Sequence, residues 1–330
     1  MNSKISILLN VFNRPTETFQ VLQGIRLYEP EKLYISIDGP RESKGIDEIG
    51  LINKVIAIID HEVDWECEIF WKINESNKGC KRAIQGALKW FFENEEMGII
   101  LEDDTKPNKT FFQYCEVLLE QYKDNQKIFS INGCNLGRNI RTYNHGFTKY
   151  FNMWGWATWK RSWQSVENCW ADYDSSNFKN STENYRWLKI SFLDTKRWLN
   201  HINNLFERTK NDQIDTWDYQ WVYTAIINKQ YSVKPDKNYI QNLGFNDKGT
   251  HTLDSNHPFS NLEFGSHSFE YQPHLKYNID LIYELKYAIT IWAGFSIRKI
   301  YWRMIKLFCF GKLLSKSMYF LFRSNYFKKL

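Results

Sequence analysis

Three consecutive carboxylates, Glu102, Asp103 and Asp104, directly follow the apolar run 99–101. Carboxylates placed side by side at the end of a buried strand repel one another and lose hydration, and a divalent cation relieves both costs. Oxygen ligands of this kind suit Mg²⁺ or Mn²⁺, which also bind the phosphates of a substrate. The alternative is a solvated acidic turn before Pro107. The preceding apolar strand favours the metal site.

The elements that must position this triplet alternate along the first hundred residues. Apolar runs predict strands at 5–11, 32–37, 65–71, 98–101 and, further along, 128–131. Apolar residues at spacings of three and four predict helices from about 17, at 46–59, from 79, and at 112–122, 187–208 and 217–228. The alternation predicts an α/β fold with a parallel sheet and helices on both faces. Ligands of such sheets gather at the carboxyl ends of strands, where Asn13, Arg14, Asp38 and the triplet all fall.

The strand followed by Glu-Asp-Asp resembles the metal motif of nucleotide-sugar glycosyltransferases with the GT-A fold. The similarity is to N-acetylglucosaminyltransferase I-like and bacterial family 2-like enzymes of surface polysaccharide assembly. It spans about residues 4–252, and six segments occur in the family's order: 12–14, 37–39, 77–79, 155–159, 217–221 and 242–246. The resemblance implies a Rossmann-like GT-A mixed sheet with helices on both faces. It also implies inverting, metal-dependent transfer of a hexosyl or N-acetylhexosaminyl group from a UDP-sugar to a saccharide hydroxyl.

The resemblance also assigns roles on the nucleotide side. Asp104 would bind the metal directly, Asp103 would hold the ribose or a metal-bound water, and Glu102 would contact the sugar or the nucleotide. Asp38 would accept a hydrogen bond from uracil, and Arg14 would hold the nucleotide; both roles suit the chemistry of a carboxylate and a planar guanidinium. The alternatives are a turn or helix-capping role for Asp38 and a surface salt bridge for Arg14.

Further cations and a histidine are candidates for contacts with the diphosphate. Lys81 and Arg82, at the start of a predicted helix, would reach it from there, and a solvated helix face is the alternative. His251 follows Gly249 and Thr250, so it is a candidate metal ligand or phosphate contact on a closing loop. A lone histidine more often has neither role.

An inverting transfer needs a general base that takes the proton from the acceptor hydroxyl. Asp218 is the first candidate, since Trp217 and Trp221 on either side would exclude water and raise its basicity. Its alternative is a helix N-terminal carboxylate that the helix dipole favours. Asp215 is the reserve candidate. The family has two adjacent acids after the Trp, and Tyr219 replaces one of them here.

The acceptor sugar is expected on tryptophans. Trp154, Trp156 and Trp217 are the candidate platforms, because indole rings stack on sugars. The small residues Gly155 and Ala157 would let a sugar approach the backbone. The alternative for this Trp-rich segment is a dense core under a loop.

The net charge of +5 is distributed unevenly. Residues 276–330 carry eleven Lys and Arg against two acids, a net charge of +9, which leaves −4 for the rest. Apolar and aromatic residues recur there at helical spacing, but no apolar run reaches the roughly 20 residues of a spanning helix. The pattern predicts a GT-A catalytic domain at 1–262 and a helical basic appendage at 263–330. Within the domain, about 1–104 would bind the nucleotide and about 105–262 the acceptor.

The basic appendage predicts an anionic partner. Amphipathic helices with outward cations are typical of membrane surfaces, so a peripheral position at the inner face of the membrane is expected. Packing on the catalytic body is the alternative, and nucleic acid is not expected because no nucleic-acid module is recognisable. Six cysteines without paired spacing and the lack of a signal sequence favour reduced thiols in the cytoplasm.

The expected activity is therefore a metal-dependent inverting glycosyltransferase of bacterial surface-glycan assembly, with a saccharide or lipid-linked glycan as acceptor. A retaining transferase on the same fold is an alternative, as is a non-catalytic glycan-binding or membrane scaffold protein. A nucleotidyltransferase is less favoured, because its Gly-rich loop near the first strand is absent from the sequence.

Overall fold

The structure is a computed structural model. It describes residues 4–137, 145–189, 195–245, 259–260, 262–265, 269–270, 279–280, 282–284 and 287. Strands of this part are β1 (Ile7–Val11), β2 (Lys32–Ile37), β3 (Glu68–Ile73), β4 (Met97–Glu102), β5 (Thr105–Pro107), β6 (Ile128–Asn132), β7 (His145–Thr148), β8 (Trp156–Trp159), β9 (Tyr231–Pro235) and β10 (Ile240–Asn242). Helices are α1 (Pro15–Arg26), α2 (Gly45–Glu62), α3 (Gly79–Asn94), α4 (Lys109–Gln121), α5 (Lys160–Glu167), α6 (Ser175–Asn180), α7 (Thr182–Leu188), α8 (Thr195–Lys210) and α9 (Asp218–Ile227).

In the described part of the chain, eight strands form one sheet in the order β3-β2-β1-β4-β8-β6-β9-β7. The first four are parallel, β8 is antiparallel to both β4 and β6, and β7 is antiparallel to β9. β5 and β10 pair in a separate antiparallel ribbon. The predicted fold class, an α/β mixed sheet of the Rossmann-like GT-A type with helices on both faces, is confirmed. The parallel order predicted from the alternation alone is interrupted by the antiparallel β8, beyond which β6 and β9 again pair in parallel.

The two faces of the sheet are covered by different helices. Leu9 and Ile35 belong to the core that the sheet forms with α1, α2 and α4. Successive residues of a strand point to opposite faces of the sheet. Tyr34 points to the other face, where its ring packs edge-on against Trp90 and Phe91 of α3. Both faces of the central strands are therefore buried, as their uninterrupted apolar sequences predict.

The Trp-rich segment forms a central strand. β8 lies between β4 and β6, and each of its four residues is buried. Gly155 precedes it with φ +59°, and a Cβ there would collide with the side chain of Ile240. Ala157 pairs with Ile99 of β4. The small residues that the sequence assigns to sugar approach are thus required for packing within the fold, which corrects that prediction.

The chain divides into two compact units, Met1–Glu284 and Leu285–Leu330. Residues 288–330, which include most of the basic appendage, lie outside the described residues. The domain division at 262 and the helical form of the appendage therefore stay predictions. Among the described helices, none is both long and apolar enough to cross a membrane.

Candidate active site

The acidic triplet lies in a tight turn at the carboxyl end of β4. Asn10 of β1 pairs with Glu102, so the two strands end at the same level of the sheet. The Thr105 hydroxyl accepts a hydrogen bond from the Glu102 amide (2.8 Å) and donates one to the Glu102 carbonyl (3.0 Å), which closes the turn. The amide of Phe12, just beyond β1, donates to Asp103 Oδ2 (3.3 Å). The triplet thus lies at the carboxyl ends of the parallel strands, where the sequence predicts it.

Arg14 lies directly against the triplet. Its Nη1 is 2.7 Å from Asp104 Oδ2 and 3.3 Å from Asp103 Oδ1, and its side chain is 17% exposed. Arg14 immediately precedes α1, which begins at Pro15 and so fixes the direction of the chain. The alternative role of Arg14, a salt bridge, is therefore present, although it is largely buried and belongs to the candidate site. Its contact with a nucleotide stays a prediction.

In the part of the chain that the structure describes, carboxylates outnumber cations in this cluster. Burial, followed by repulsion from Asp104 and Asp103, raises the pKa of Glu102 well above its ordinary value. Burial raises the pKa of Asp103 to about 7, although Arg14 lowers it, and burial also raises the pKa of Asp104. Burial lowers the pKa of Arg14. The two aspartates raise it by more than burial lowers it, so the guanidinium stays charged. Among the described residues, the Arg14 guanidinium pairs with two carboxylates of the triplet, and a further cation would stabilise the ionised forms of all three.

The segment after β10 folds over Asp104. The amide of Leu243 donates to the Asp104 carbonyl (2.7 Å), and the amide of Gly244 donates to Asn242 Oδ1 (2.8 Å). A Cβ at position 244 would collide with Asp104 Oδ2. Only glycine allows the backbone to approach the carboxylate this closely. The predicted motif 242–246 thus forms one wall of the site as far as residue 245, where this described stretch ends.

The donor set fits a divalent cation of the predicted kind. Mg²⁺ is usually bound by one or two carboxylates, with substrate phosphates and water supplying the other oxygens, and Mn²⁺ prefers similar ligands. Asp104 is suited to such a contact, while Asp103 is oriented by the Phe12 amide and Arg14. Within the described residues, no three His, Cys, Asp or Glu side chains are arranged to hold a metal ion by themselves. The third predicted ligand, His251, lies outside the described residues.

Asp218 is the first residue of α9 and belongs to the same cluster. The Thr216 hydroxyl donates a hydrogen bond to Asp218 Oδ1. Burial is the main cause of the raised pKa of Glu102, and the charge of Asp218 adds to it, so these two side chains are electrostatic neighbours. A carboxylate at this end of a helix is also favoured by the helix dipole. Asp218 therefore has the position that its alternative role requires, that of a carboxylate at the start of a helix. Its role as the general base stays a prediction.

Asp215, the reserve candidate base, caps α3. Its Oδ2 accepts a hydrogen bond from the Cys80 amide and its Oδ1 accepts one from the Lys81 amide, both at 2.9 Å. Helix-terminal amides lack partners within the helix, so a carboxylate that accepts two of them stabilises the helix start. This placement gives Asp215 a structural role and weakens its candidacy as a base.

The Asp38 carboxylate accepts hydrogen bonds from backbone and side-chain amides of the protein itself. It accepts hydrogen bonds of 2.9–3.2 Å from three backbone amides and two Asn side chains: Gly39, Lys78, Gly79, Asn74 and Asn77. Both carboxylate oxygens are occupied in this way, which leaves the uracil N–H without an acceptor at Asp38 in this structure. The predicted uracil contact is therefore replaced by the alternative, a turn and helix-capping role.

The two cations at the start of α3 contact the end of α8 and the segment that follows it. Lys81 Nζ donates to the Thr209 carbonyl (2.6 Å) and to Asp212 Oδ1 (2.8 Å), and the residue is nearly buried. Arg82 Nη2 lies 3.2 Å from Asp212 Oδ2, and its side chain is 69% exposed. Lys81 is therefore a structural cation rather than the predicted diphosphate contact. Arg82 lies on a solvated face, as the alternative expects.

The three candidate acceptor tryptophans differ in exposure. Trp156 is fully buried and Trp217 is 2% exposed, and their rings stack on each other at 5.6 Å between centroids. Neither ring offers a face to a sugar here, so the dense-core alternative describes both and their predicted role is corrected. Trp154 is only partly buried, and its ring packs edge-on against Phe245 and Phe259. It alone of the three keeps surface for the predicted contact.

The sequence patterns miss Cys80. Burial raises the pKa of its thiol well above the ordinary value, and nearby carboxylates add to that effect: Glu102, Asp215, Asp218 and Asp104. The thiol is therefore protonated at neutral pH and lies among the carboxylates of the site. A sequence signal existed, because Cys80 directly follows the motif 77–79.

Comparisons with known proteins found no matching family model and no similar curated protein. Among solved structures, the chain is similar to residues 1–349 of TarS from S. aureus, with 12% identity over 73% of this chain and 61% of that one and a TM-score of 0.35. UTP-bound UGPase from Acinetobacter baumannii shows 6% identity over 70% and 85%, with a TM-score of 0.34. HddC from Yersinia pseudotuberculosis shows 10% identity over 48% and 77%, with a TM-score of 0.30.

Proposed function

We propose that the protein is a metal-dependent inverting glycosyltransferase. It transfers a hexosyl or N-acetylhexosaminyl group from a UDP-sugar to a saccharide hydroxyl, in the assembly of a bacterial surface polysaccharide. One observation carries the proposal: Asp103 and Asp104 pair with Arg14 where β1 and β4 end, and Glu102 of the same triplet is an electrostatic neighbour of Asp218 at the start of α9. This supports a division of labour between a group that binds a charged leaving group and a separate carboxylate for the acceptor.

The residues have distinct tasks in this reaction. Asp104 would hold Mn²⁺ or Mg²⁺, which when bound offsets the negative charge of the departing diphosphate. Arg14 adds a fixed positive charge beside it and fixes Asp103 and Asp104 in place. The acceptor oxygen bonds to the anomeric carbon, the bond from that carbon to the diphosphate oxygen breaks, and UDP leaves with the electron pair. Asp218 takes the proton of the acceptor hydroxyl, held in position by Thr216.

Calorimetry with UDP tests the binding half of the proposal. UDP should bind at least tenfold more tightly with Mn²⁺ than without it, and Asp104→Ala should lose that gain. Asp174→Ala is the matched control, because it removes an aspartate that caps α6, which contributes no residue to the acidic cluster. Equal UDP affinity with and without Mn²⁺ in the wild type would contradict metal dependence, and no UDP binding at all would favour the scaffold protein.

A donor screen tests the catalytic half. UDP release is measured across a panel of UDP-sugars with saccharide acceptors, and NMR then gives the anomeric configuration of the product. Inversion at the anomeric carbon and loss of turnover in Asp218→Asn are expected. A product with retained configuration would assign the chain to retaining transferases and leave Asp218 as a positioning group.

We also propose that the region 263–330 attaches the catalytic domain, 1–262, to the inner, anionic face of the membrane. The net charge of +9 over 276–330 and the interspersed aromatic residues support this, because cations and aromatic rings favour the headgroup layer. Truncation after Glu284, where the first compact unit ends, should abolish co-sedimentation with vesicles that contain phosphatidylglycerol. Undiminished sedimentation of the truncated protein would exclude this attachment.

A further inference from the structure

Four successive backbone amides at the start of α3 donate to two aspartates that are far apart in the sequence. Asp38 accepts from the amides of Lys78 and Gly79, at 3.0–3.2 Å. Asp215 accepts from the next two amides, those of Cys80 and Lys81. The first amides of a helix have no partner within it, and a neighbouring side chain usually supplies one. In the described structure, the side chain of Lys78, at the N-cap position, accepts none of these amide hydrogen bonds. Both acceptor carboxylates therefore come from elsewhere in the chain.

The geometry at Gly79 is adapted to this arrangement. Its φ is +79°, a conformation that favours glycine, and a Cβ there would lie 2.7 Å from Asp215 Oδ2. Glycine therefore permits both the backbone turn into α3 and the close approach of Asp215. The motif 77–79 identified in the sequence is explained by this contact, with Asn77 also donating to Asp38.

The same helix turn holds the segment between α8 and α9 at a second point. Lys81 Nζ binds the Thr209 carbonyl and Asp212, both upstream of Asp215. Thr216 follows directly and binds Asp218 through its hydroxyl. The segment is thus bound to α3 through Asp212 near its start and through Asp215 further along. It leads directly to Asp218, the candidate base.

We propose that Asp215 and Asp38 are positioning residues, which clamp the first turn of α3 and thereby set the place of Asp218 relative to the acidic triplet. This inference rests on the proposed function for its catalytic consequence. Asp38 joins the end of β2 to α3, and Asp215 joins α3 to the residues that lead into α9. The triplet is fixed on β4 of the same sheet as β2. The clamp therefore connects the residue that takes the proton to the elements that bind the leaving group.

Hydrogen exchange measured by mass spectrometry on the full chain tests the clamp without requiring activity. Asp215→Ala should increase the exchange rate of the amides of residues 80 and 81 at least tenfold, because their acceptor is removed. Peptides that cover 216–220 should also exchange faster, since the entry to α9 is released. Asp174→Ala, which removes a helix-capping aspartate from α6, should leave both regions unchanged. Unchanged exchange at 216–220 in Asp215→Ala would overturn the coupling.

Kinetics on the UDP-sugar that the wild type turns over test the consequence. Asp215→Ala should lower kcat at least tenfold while the Kd for UDP with Mn²⁺ changes less than twofold, because the donor side is intact. Asp215→Asn retains one amide acceptor and should recover part of kcat, and the pH dependence of kcat should keep its shape. If Asp215→Asn instead abolishes turnover and removes the ionisation from the pH profile, Asp215 is the base and the positioning role is wrong. If the wild type turns over no donor, the proposed function fails, and the exchange experiment still decides whether the clamp exists.

Discussion

Glu284 is a buried carboxyl group whose ionisation should weaken the fold. It has no exposed surface, and its Oε1 accepts hydrogen bonds from the Thr148 hydroxyl and the Lys149 amide. Among the described residues, its Oε2 has no hydrogen-bond partner. Burial raises the pKa of Glu284 from 4.5 to about 7, with Lys149 lowering it and Asp280 raising it. The protonated form is therefore the one that the fold prefers.

The sign and size of the effect follow from that pKa. Because the folded pKa lies above the unfolded one, the stability contributed by the neutral carboxyl is complete below about pH 4.5. It is lost as the pH rises to about 7. A difference of this size corresponds to about 3 kcal/mol in the free energy of unfolding. Glu284→Gln has a similar shape and no charge. It should match the wild type near pH 4.5 and be more stable by up to about 3 kcal/mol at pH 8.

Equilibrium unfolding in urea at pH 4.5 and pH 8 measures this difference. Glu263→Gln is the control, because Glu263 is exposed and the same charge is removed from the surface. The control should change the unfolding midpoint equally little at both pH values. If the difference between Glu284→Gln and the wild type is the same at both pH values, the carboxyl is not the buried, titrating group described here.

Two further predictions concern the walls of the site. Arg14→Met leaves Asp103 and Asp104 without their cation and should lower the free energy of unfolding at pH 7 by about 3 kcal/mol. Adding Asp104→Asn to Arg14→Met should restore part of that loss in urea unfolding, and simple additivity would show that the ion pair does not couple the two. Gly244→Ala should weaken Mn²⁺-dependent UDP binding in calorimetry, because the new Cβ displaces the Asp104 carboxylate. Gly50→Ala lies within α2, where a Cβ meets nothing within 4 Å, so it should leave UDP binding unchanged and an equal loss in both variants would refute the steric argument.

Local patterns were sufficient for most elements of the parallel part of the sheet. The strand predicted at 32–37 coincides with β2, and the one at 128–131 lies within β6. The strand predicted at 65–71 is shifted to 68–73, because β3 is an edge strand with partly exposed residues and a weaker apolar signal. The place of the acidic triplet was predictable for the same reason, since it directly follows the uninterrupted apolar run 99–101, and such runs are typical of buried parallel strands.

Contacts between distant parts of the chain were not predictable. Asp38 and Asp215 both look like free carboxylates in the sequence, yet each is used by the start of α3. A single sequence contains no signal that brings residues 38, 80 and 215 together. Trp156 was similarly ambiguous, because an indole suits both a sugar platform and a core. Its insertion between β4 and β6 decides for the core.

The clamp on α3 changes which positive charges are expected to meet a diphosphate. The start of a helix attracts phosphate through its amides and its dipole. At α3 those amides already donate to Asp38 and Asp215, and Lys81 is bound to Asp212, so this end is occupied. Arg14, by contrast, lies beside Asp104 at the edge of the sheet where ligands of such folds bind. Recognition of the diphosphate is therefore expected to depend on Arg14 and on a cation at Asp104. For that reason UDP affinity should respond strongly to Mn²⁺ and to Asp104→Ala, and little to changes in the charge of Arg82.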